Sequence, residues 1–157
     1  MSKDNIIQSP FKPRARMLLQ LGDQLIKNES VALVELVKNS YDADATHVEI
    51  ILSDIDNKDI GQIIIKDNGW GMDLDTIINC WLEPGSDSKS QIVNIGKRSP
   101  KGRLPIGEKG IGRFGVHKLG SKIELITRKS RGKEYVVRIN WNDFSHSKYL
   151  DDVPVYV

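Results

Sequence analysis

The sequence has little cysteine, few aromatic residues and no long apolar run, and each shortage excludes a class of protein. Cys80 is the only cysteine, so the chain can form neither an internal disulfide nor a metal site built from several cysteines. No apolar run approaches the roughly 18 residues of a membrane span, and residues 1–16 lack the apolar core of a secretory signal. We therefore expect a cytoplasmic protein without membrane association, folded as one domain of 157 residues.

The basic residues are concentrated in one segment. Residues 97–133 contain 12 Lys or Arg and 2 Asp or Glu, whereas residues 1–96 contain 9 and 15. A basic segment beside an acidic body indicates an anionic partner, such as nucleotide phosphate, nucleic acid or an acidic surface, although a solvated loop has the same composition. Because Phe114 is the only aromatic residue in this segment, it lacks the stacking platforms of single-strand binders. Binding of DNA or of a protein client through residues 97–133 is expected only as an accessory property.

Hydrophobic periodicity predicts an alternation of helices and strands. Pro13 and Ser30 suit the first turn of one helix and the N-cap of the next. A polar stretch rich in proline and glycine, residues 83–107, predicts a long loop. The predicted helices cover residues 13–27, 31–42, 74–82 and part of 106–119, and the predicted strands cover residues 46–54, 62–67, 122–128 and 134–141. Paired helices between antiparallel strand pairs predict an α+β fold, arranged as a two-layer α/β sandwich.

Three polar side chains share one face of the second predicted helix. Glu35, Asn39 and Asp42 lie at positions i, i+4 and i+7, which a helix presents on the same side. Glu35 could act as a general base toward water, and the amide oxygen of Asn39 is a hard ligand of the kind that suits Mg²⁺. The same stripe would also serve as the solvent-facing side of an ordinary amphipathic helix.

A second motif begins at Asp67, which ends a predicted strand and is followed by Asn-Gly-Trp-Gly-Met. A carboxylate in this position can accept a hydrogen bond from an exocyclic amine, while Gly69 and Gly71 let a flat ring approach the backbone. Met72 could cover such a ring with a soft apolar contact. A tight turn after a strand would explain Asp-Asn-Gly equally well.

A third motif, GEKGIGRFG, covers residues 107–115 and contains G-x-G-x-x-G. The dinucleotide-binding form of that motif requires a hydrophobic strand before its first glycine, but the preceding residues are basic and interrupted by proline. The H-R-D and D-F-G motifs of protein kinases and a Walker A motif are absent. Two interpretations stay open: a flexible hinge, or a loop whose amides bind phosphates with added positive charge from Lys109, Arg113 and Lys118.

In this order the three motifs resemble those of the GHKL superfamily, which includes gyrase B subunits, heat-shock chaperones, sensor histidine kinases, and MutL and MORC proteins. ELVKNSYDA, residues 35–43, matches the N box E-x-x-x-N-x-x-D-A, and DNGWG, residues 67–71, matches the box D-x-G-x-G. The resemblance covers about residues 11–141 and implies a Bergerat-type ATP-binding fold, with a mostly antiparallel sheet covered on one face by helices. The form of the N box is nearest the chaperone, MutL and MORC branch.

The resemblance implies a role for each matching residue. Glu35 would activate the hydrolytic water, Asn39 would bind the Mg²⁺ that bridges the phosphates, and Asp42 would support Asn39 or lie near the ribose and phosphates. Asp67 would accept a hydrogen bond from the adenine amine. The other ATP-binding residues would be Gly69, Gly71 and Met72 at the adenine, and Gly107, Lys109, Gly110, Ile111, Gly112, Arg113, Phe114 and Gly115 around the phosphates. Residues 83–105 would form the ATP lid.

The resemblance also implies a Mg²⁺-dependent ATPase in which lid closure drives a conformational or dimerisation switch, with an ATP-dependent homodimer in a longer protein. The family usually completes its sheet with a later strand that carries a threonine after a glycine, whereas Thr127 does not follow glycine. Residues 1–157 are therefore expected to be an N-terminal ATPase domain that lacks its last strand or strands, or else a degenerate member of the family. The alternative is a histidine kinase catalytic domain, which needs a phosphoacceptor histidine on a helical hairpin. None of His47, His117 and His146 lies in a convincing helix of that kind.

Overall fold

The computed structural model describes residues 8–85, 98–107 and 112–157, in which helices alternate with two β-hairpins. The helices are α1 Arg16–Leu25, α2 Glu29–Asp42, α3 Leu74–Thr76 and α4 Trp141–His146, and the strands are β1 Val48–Ser53, β2 Gln62–Asp67, β3 Lys122–Arg128 and β4 Glu134–Asn140. Shorter turns comprise a π-helical turn at Ile77–Trp81 and 3₁₀ helices at Gly112–Lys118 and Leu150–Asp152. The predicted α+β class is confirmed.

The first two helices begin at different residues from those predicted. Pro13 precedes α1 instead of lying in its first turn, because its carbonyl accepts a hydrogen bond from the Leu150 amide and Arg14 bridges to Tyr149. The N-cap of α2 is Asn28 and not Ser30, since the extended backbone of Asn28 lets its side chain accept from the Val31 amide at 3.0 Å. The helix therefore includes Ser30 within its first turn.

The strands form two separate two-stranded antiparallel sheets among the described residues. In the first sheet Val48 pairs with Asp67, so the β1–β2 register places Asp67 at the open end of the hairpin. In the second sheet Leu125 of β3 pairs with Val137 of β4. The outer edge of β4 also exchanges backbone hydrogen bonds with Tyr156 through Arg138, so the C-terminal residues run beside it.

Two predicted elements differ from the structure around the second sheet. The predicted helix over residues 74–82 is a short α3 capped by the Asp73 side chain, which accepts from the Thr76 amide, and it continues as the π-helical turn. The predicted last strand stops at Asn140, and α4 begins at Trp141, which was expected to end that strand. The Asn140 side chain caps α4 by accepting from the Asn142 amide, which explains the change from strand to helix.

The hydrophobic core lies between the β3–β4 sheet and the helices that cover it. Its buried members come from α1 and the residue before it, the π-helical turn, the 3₁₀ helix, β4 and α4: Ala15, Leu18, Ile77, Phe114, Val137, Ile139, Trp141 and Phe144. The β1–β2 sheet is less covered, since Ile50, Leu52 and Ile64 are exposed. No helix among the described residues combines the length and the apolar character that crossing a membrane requires.

Candidate functional site

Helix α2 brings Glu35 against Gly112, the first residue that the structure describes after residue 107 of the glycine-rich segment. A Cβ atom on Gly112 would lie 2.6 Å from Glu35 Oε2, so only glycine leaves room for the carboxylate in this position. The other carboxylate oxygen, Oε1, accepts a hydrogen bond from Lys38 Nζ at 2.7 Å. The Glu35 side chain retains about a quarter of its exposure (23%) and can therefore contact a water molecule or ligand. Two motifs that lie far apart in the sequence thus meet at Glu35.

Asp42, about two turns further along the same face, holds Ile106 and Gly107 at the start of that segment. Its carboxylate oxygens accept hydrogen bonds from the amides of Ile106 at 2.8 Å and Gly107 at 3.3 Å. Asn39 lies between Glu35 and Asp42 on α2 and is partly exposed. The sequence-predicted stripe therefore contacts the glycine-rich segment at Gly107 and at Gly112, and a solvent-only role for this face is excluded.

Asp67 is held at the end of β2 by donors on both of its oxygens. Ser40 Oγ donates to Oδ2 at 3.0 Å, and the Gly69 amide donates to Oδ1 at 2.8 Å. A carboxylate has about four acceptor positions, so these two bonds orient the group and leave acceptor capacity. Because Asp67 is exposed, that capacity is available to a donor such as an amine. Ser40 lies on α2, so the same helix positions this carboxylate and Glu35.

The glycine turn after Asp67 packs tightly against two neighbouring elements. The Trp70 amide donates to Ala43 O at 3.0 Å, and a side chain on Gly69 would collide with that carbonyl oxygen. Gly71 has a φ of +66°, and a side chain there would collide with the carbonyl oxygen of Arg128 at the end of β3. The two glycines therefore permit close backbone contacts with α2 and β3 in addition to any contact with a ligand.

Met72 follows this turn and is partly buried beside the core. Its amide donates to Thr127 Oγ1 at 2.9 Å, so Thr127 of β3 fixes the backbone at the position predicted to line an adenine pocket. Thr127 is buried, with 9% of its surface exposed. The threonine is therefore connected to the candidate site although it does not follow a glycine.

We call the third motif, residues 107–115, the second glycine box. Some of its described residues lie at the candidate site and others lie in the protein interior. Gly112 contacts Glu35, whereas Phe114 belongs to the core, and Gly115 is buried where a side chain would collide with Ile26. Lys109, Gly110 and Ile111 lie outside the described residues, as do residues 86–97 of the predicted lid. Phosphate binding by this box therefore stays a prediction. Close packing against Glu35 and Ile26 already explains why residues 112 and 115 are glycines.

Of the cations near this box, those that the structure describes are engaged by the protein itself. Arg113 donates from one terminal nitrogen to Cys80 O at 3.1 Å and to Glu83 O at 2.8 Å, and its guanidinium lies 5.0 Å from the centre of the Phe114 ring. Burial lowers the pKa of Arg113 to about 10, so the side chain stays charged at neutral pH. It therefore holds residues 80–83, which lead into the predicted lid at Glu83, against the 3₁₀ helix.

Lys118 and His117 point to α1. Lys118 Nζ lies 2.8 Å from Asp23 Oδ1, and the two ring nitrogens of His117 lie 2.6 Å from Phe114 O and 3.0 Å from Asp23 Oδ1. The hydrogen bond from Lys118, followed by that from His117, lowers the pKa of the Asp23 carboxyl. These contacts fasten the 3₁₀ helix to α1 and do not direct either side chain to Glu35.

Sequence reasoning missed several residues that hold the site together. Asn68 Oδ1 accepts from the amides of Thr46 and His47, which fixes the glycine turn to the segment before β1. Ser40 and Asp44 were also missed, because a serine beside Asn39 and a second aspartate after Asp42 carry no recognisable spacing. An apolar hollow of about 350 Å³ is lined by Leu33, Val34, Val37, Lys38, Tyr41, Ile50 and Ile106, and it contains none of the three candidate carboxylates.

Comparison with known proteins agrees, over most of the chain, with the family resemblance that the sequence motifs indicated. A family model described as "Histidine kinase-, DNA gyrase B-, and HSP90-like ATPase" matches residues 27–154. The Chaperone protein HtpG of Campylobacter jejuni strain 81-176 is 30% identical over 160 aligned positions, which cover 90% of this chain and 26% of the relative. HtpG of Ruthia magnifica is 30% identical, covering 88% of the chain and 25% of the relative. HtpG of Rickettsia prowazekii is 29% identical, covering 68% and 20%. The chain spans about a quarter or less of the length of these curated relatives.

Proposed function

The chain belongs to the histidine kinase-, DNA gyrase B- and HSP90-like ATPase family, and we propose that it binds Mg-ATP on α2 and hydrolyses it to drive a conformational switch. The observation that carries this proposal is the meeting of Glu35 with Gly112, together with the Asp42 contact to the Gly107 amide. Both contacts place a carboxylate of the N box beside the segment proposed to surround the phosphates.

We propose that Asp67 recognises the adenine amine. Its two oxygens are oriented by Ser40 and the Gly69 amide, and an oriented acceptor loses less entropy when a donor binds. Met72 and Gly71 would line the same side of the base. The carboxylate would then select an amino-purine over a ring that carries a carbonyl in the same position, because the carbonyl would face an acceptor without a donor.

The oxygen ligands that α2 offers fit a magnesium ion that takes most of its other ligands from phosphate and water. Mg²⁺ prefers oxygen ligands and usually binds through few protein groups plus substrate phosphates. Among the described residues no three His, Cys, Asp or Glu form a metal-binding group, so a site made of protein ligands alone is not offered there. Asn39 would hold the ion through its amide oxygen. When bound, the ion would neutralise charge on the phosphates.

Glu35 would accept the proton of the attacking water. Lys38 holds one of its oxygens at 2.7 Å, and Gly112 leaves space at the other oxygen, so the carboxylate has a fixed orientation. General-base catalysis of this kind typically contributes about 10²–10⁴-fold in rate. The amides of the glycine-rich segment would orient the phosphates, and this positioning supplies most of the remaining acceleration.

A calorimetric titration with ADP and with a non-hydrolysable ATP analogue, with and without Mg²⁺, tests the binding site. We expect magnesium-dependent binding of the analogue by the unmodified chain. Asp67→Asn should lower the affinity for both nucleotides about tenfold or more, since the amide keeps only one, uncharged acceptor oxygen for Ser40, the Gly69 amide and the base. The matched control is Asp56→Asn, in the exposed turn between β1 and β2, which should bind normally. Equal affinities in the two variants would refute the role of Asp67.

Turnover is tested separately with Glu35→Ala. This variant should bind the ATP analogue within about twofold of the unmodified chain and lose at least about 100-fold in phosphate release. Glu29→Ala, at the first turn of the same helix, controls for general effects on α2. Unchanged hydrolysis in Glu35→Ala would show that another group activates the water.

We further propose that residues 1–157 act in the cytoplasm as an N-terminal ATPase domain of a longer protein, with residues 83–105 as its lid and an additional strand completing the sheet. In such a protein ATP binding would promote homodimerisation, and residues 97–133 would be available to DNA or a protein client. The relatives that carry the name chaperone support the ATP-driven switch over phosphotransfer. His117 and His146 also fit phosphotransfer poorly, because His117 contacts Asp23 and His146 ends the short α4.

A further inference from the structure

Residues 98–103, in the C-terminal part of the proposed lid, form a tight turn that binds the end of α2 through hydrogen bonds. We name Asp44, Ser99, Lys101 and Arg103 the stem clasp. Ser99 Oγ donates to Asp44 Oδ1 at 2.5 Å, the Lys101 amide donates to Oδ2 at 3.2 Å, and Lys101 Nζ donates to the Asp44 carbonyl at 2.7 Å. The turn is closed internally by the Gly102 amide, which donates to Ser99 O at 2.8 Å. Asp44 is therefore held through its carboxylate and its backbone at once.

Arg103 completes the stem clasp by binding carbonyls at the C-terminal end of α2. One of its terminal nitrogens donates to Ala45 O at 2.7 Å and to Tyr41 O at 3.2 Å, and its guanidinium lies 4.5 Å from the centre of the Tyr41 ring. The last carbonyls of a helix lack partners within the helix and attract cations. Tyr41 O also accepts from the Asp44 amide at 2.9 Å, so Arg103 is a second partner there, and its contacts fasten the turn to the end of α2.

Asp44 has two properties that packing alone does not require. It is buried, with 4% of its surface exposed, and its φ is +60°. A buried carboxylate is costly unless hydrogen bonds satisfy it, and a left-handed backbone is uncommon for residues other than glycine, asparagine and aspartate. The Ser99 hydroxyl and the Lys101 amide satisfy the buried carboxylate, and aspartate is among the residues that adopt a positive φ most readily.

The position of the stem clasp along the chain gives it a consequence for the candidate site. Arg103 lies three and four residues before Ile106 and Gly107, whose amides bind Asp42. A backbone held at residues 99–103 has little freedom left at residues 106 and 107, because only Leu104 and Pro105 intervene and proline has a fixed φ. The stem clasp thus determines where the glycine-rich segment begins.

We propose that Asp44 is a positioning residue of the nucleotide site, which fixes Gly107, the first residue of the segment proposed to surround the phosphates of ATP, against α2. This proposal rests on the proposed function. Asp44 touches neither the base nor the phosphates and acts through the Ser99–Arg103 turn on Gly107. Its loss therefore affects nucleotides in proportion to their phosphates and spares recognition of adenosine through Asp67.

Asp44→Gly is the test variant, because glycine adopts a positive φ without strain and removes the whole carboxylate. Asp54→Gly is the matched control, since Asp54 also has a positive φ (+50°) but is exposed in the β1–β2 turn. The two variants gain similar backbone freedom in the unfolded chain. Asp44→Asn tolerates the same backbone and can still accept from Ser99, but its amide nitrogen cannot accept from the Lys101 amide, so its effect should be intermediate.

Two measurements are made on each variant. The first is calorimetric affinity for adenosine and for a non-hydrolysable ATP analogue with Mg²⁺. Asp44→Gly should bind the analogue about tenfold more weakly and adenosine within about twofold, and Asp54→Gly should change neither. The second is amide hydrogen exchange without nucleotide, in which Ile106 and Gly107 should exchange about tenfold faster in Asp44→Gly than in Asp54→Gly.

The outcomes separate this proposal from the proposed function. Parallel weakening of adenosine and the analogue, or no weakening of either, would overturn the positioning role while leaving ATP binding intact. Unchanged exchange at Ile106 and Gly107 would overturn the mechanical link from Asp44 to the segment. If the unmodified chain bound neither ligand, the proposed function would fail and the positioning role with it.

Discussion

At the scale of single residues, the glycines of the second box are needed for contacts between elements. A Cβ on Gly115 would collide with Ile26, which immediately follows α1, and Gly115 is buried. The collision involves a buried β-branched side chain that has little freedom to move. Gly115 therefore sets how closely the 3₁₀ helix approaches α1, and through it where Gly112 lies relative to Glu35.

Gly115→Ala should destabilise the fold by about 1–3 kcal/mol, the usual cost of forcing extra volume into a packed interior. The comparison is Gly120→Ala, because Gly120 is exposed and a Cβ there would meet only Lys122 O at 3.9 Å. Urea denaturation of both variants gives the measurement. Equal midpoints and equal slopes for the two variants would mean that Ile26 moves aside without cost.

The residues of the candidate site were predicted unequally well from the sequence. Glu35, Asp42 and Asp67 were identified because fixed spacings or a strand end marked them, and the structure brings all three to α2 or its immediate neighbours. Ser40 and Asp44 were not identified. Their importance comes from partners 27 and 55 positions away, and such distant contacts leave no local pattern in one sequence.

At the scale of elements, α2 carries most of the candidate site, so the stability of its N-terminus bears on that site. Asn28→Ala removes the acceptor of the Val31 amide and should lower the free energy of unfolding by about 1 kcal/mol. Asn28→Asp keeps the acceptor and adds a charge that suits a helix N-terminus, so it should retain the stability of the unmodified chain. Thermal denaturation followed by circular dichroism distinguishes the two. Identical melting temperatures would show that the cap contributes nothing.

The predicted end of the last strand was wrong because the pattern of buried residues continues from β4 into α4. Val137, Ile139 and Trp141 are buried and alternate with more exposed residues, so a period of two continued past the real end of β4. The strand ends because the Asn140 side chain caps α4, although the Trp141 amide still donates to Ser121 O of the neighbouring chain segment. The hairpins themselves were predicted well, since β-branched residues and intervening turns mark them locally.

At the scale of the whole molecule, the two hairpins are connected through the residues that follow β2. The Met72 amide binds Thr127, and Asp73 Oδ2 lies 2.6 Å from Lys129 Nζ, so two adjacent residues reach the far hairpin. These partners lie 55 and 56 positions apart in the chain. The sequence predicted each hairpin but not their relation, because nothing local records which distant side chains will meet.

Acid should weaken this connection. Hydrogen bonds from Lys129 and then from Thr76 lower the pKa of Asp73 below the ordinary value of 3.8. Because the folded-state pKa is the lower one, the stabilisation is fully present above pH 3.8 and is lost as the pH falls through that value toward the folded pKa. Asp73→Asn should be less stable at neutral pH and lose less stability between about pH 5 and 2. Urea midpoints across that range test it, and parallel pH profiles for both proteins would contradict the assignment.

The contact between Gly112 and Glu35 also has a consequence for how such proteins diverge. A side chain as small as alanine or serine at position 112 would meet Glu35 Oε2 at 2.6 Å, while Asp67 and its glycine turn would be untouched. If Glu35 activates water as proposed, a substitution at position 112 that displaces its carboxylate would lower turnover and leave recognition of the base through Asp67 unchanged. Position 112 is then where a chain of this kind could come to sense ATP without consuming it.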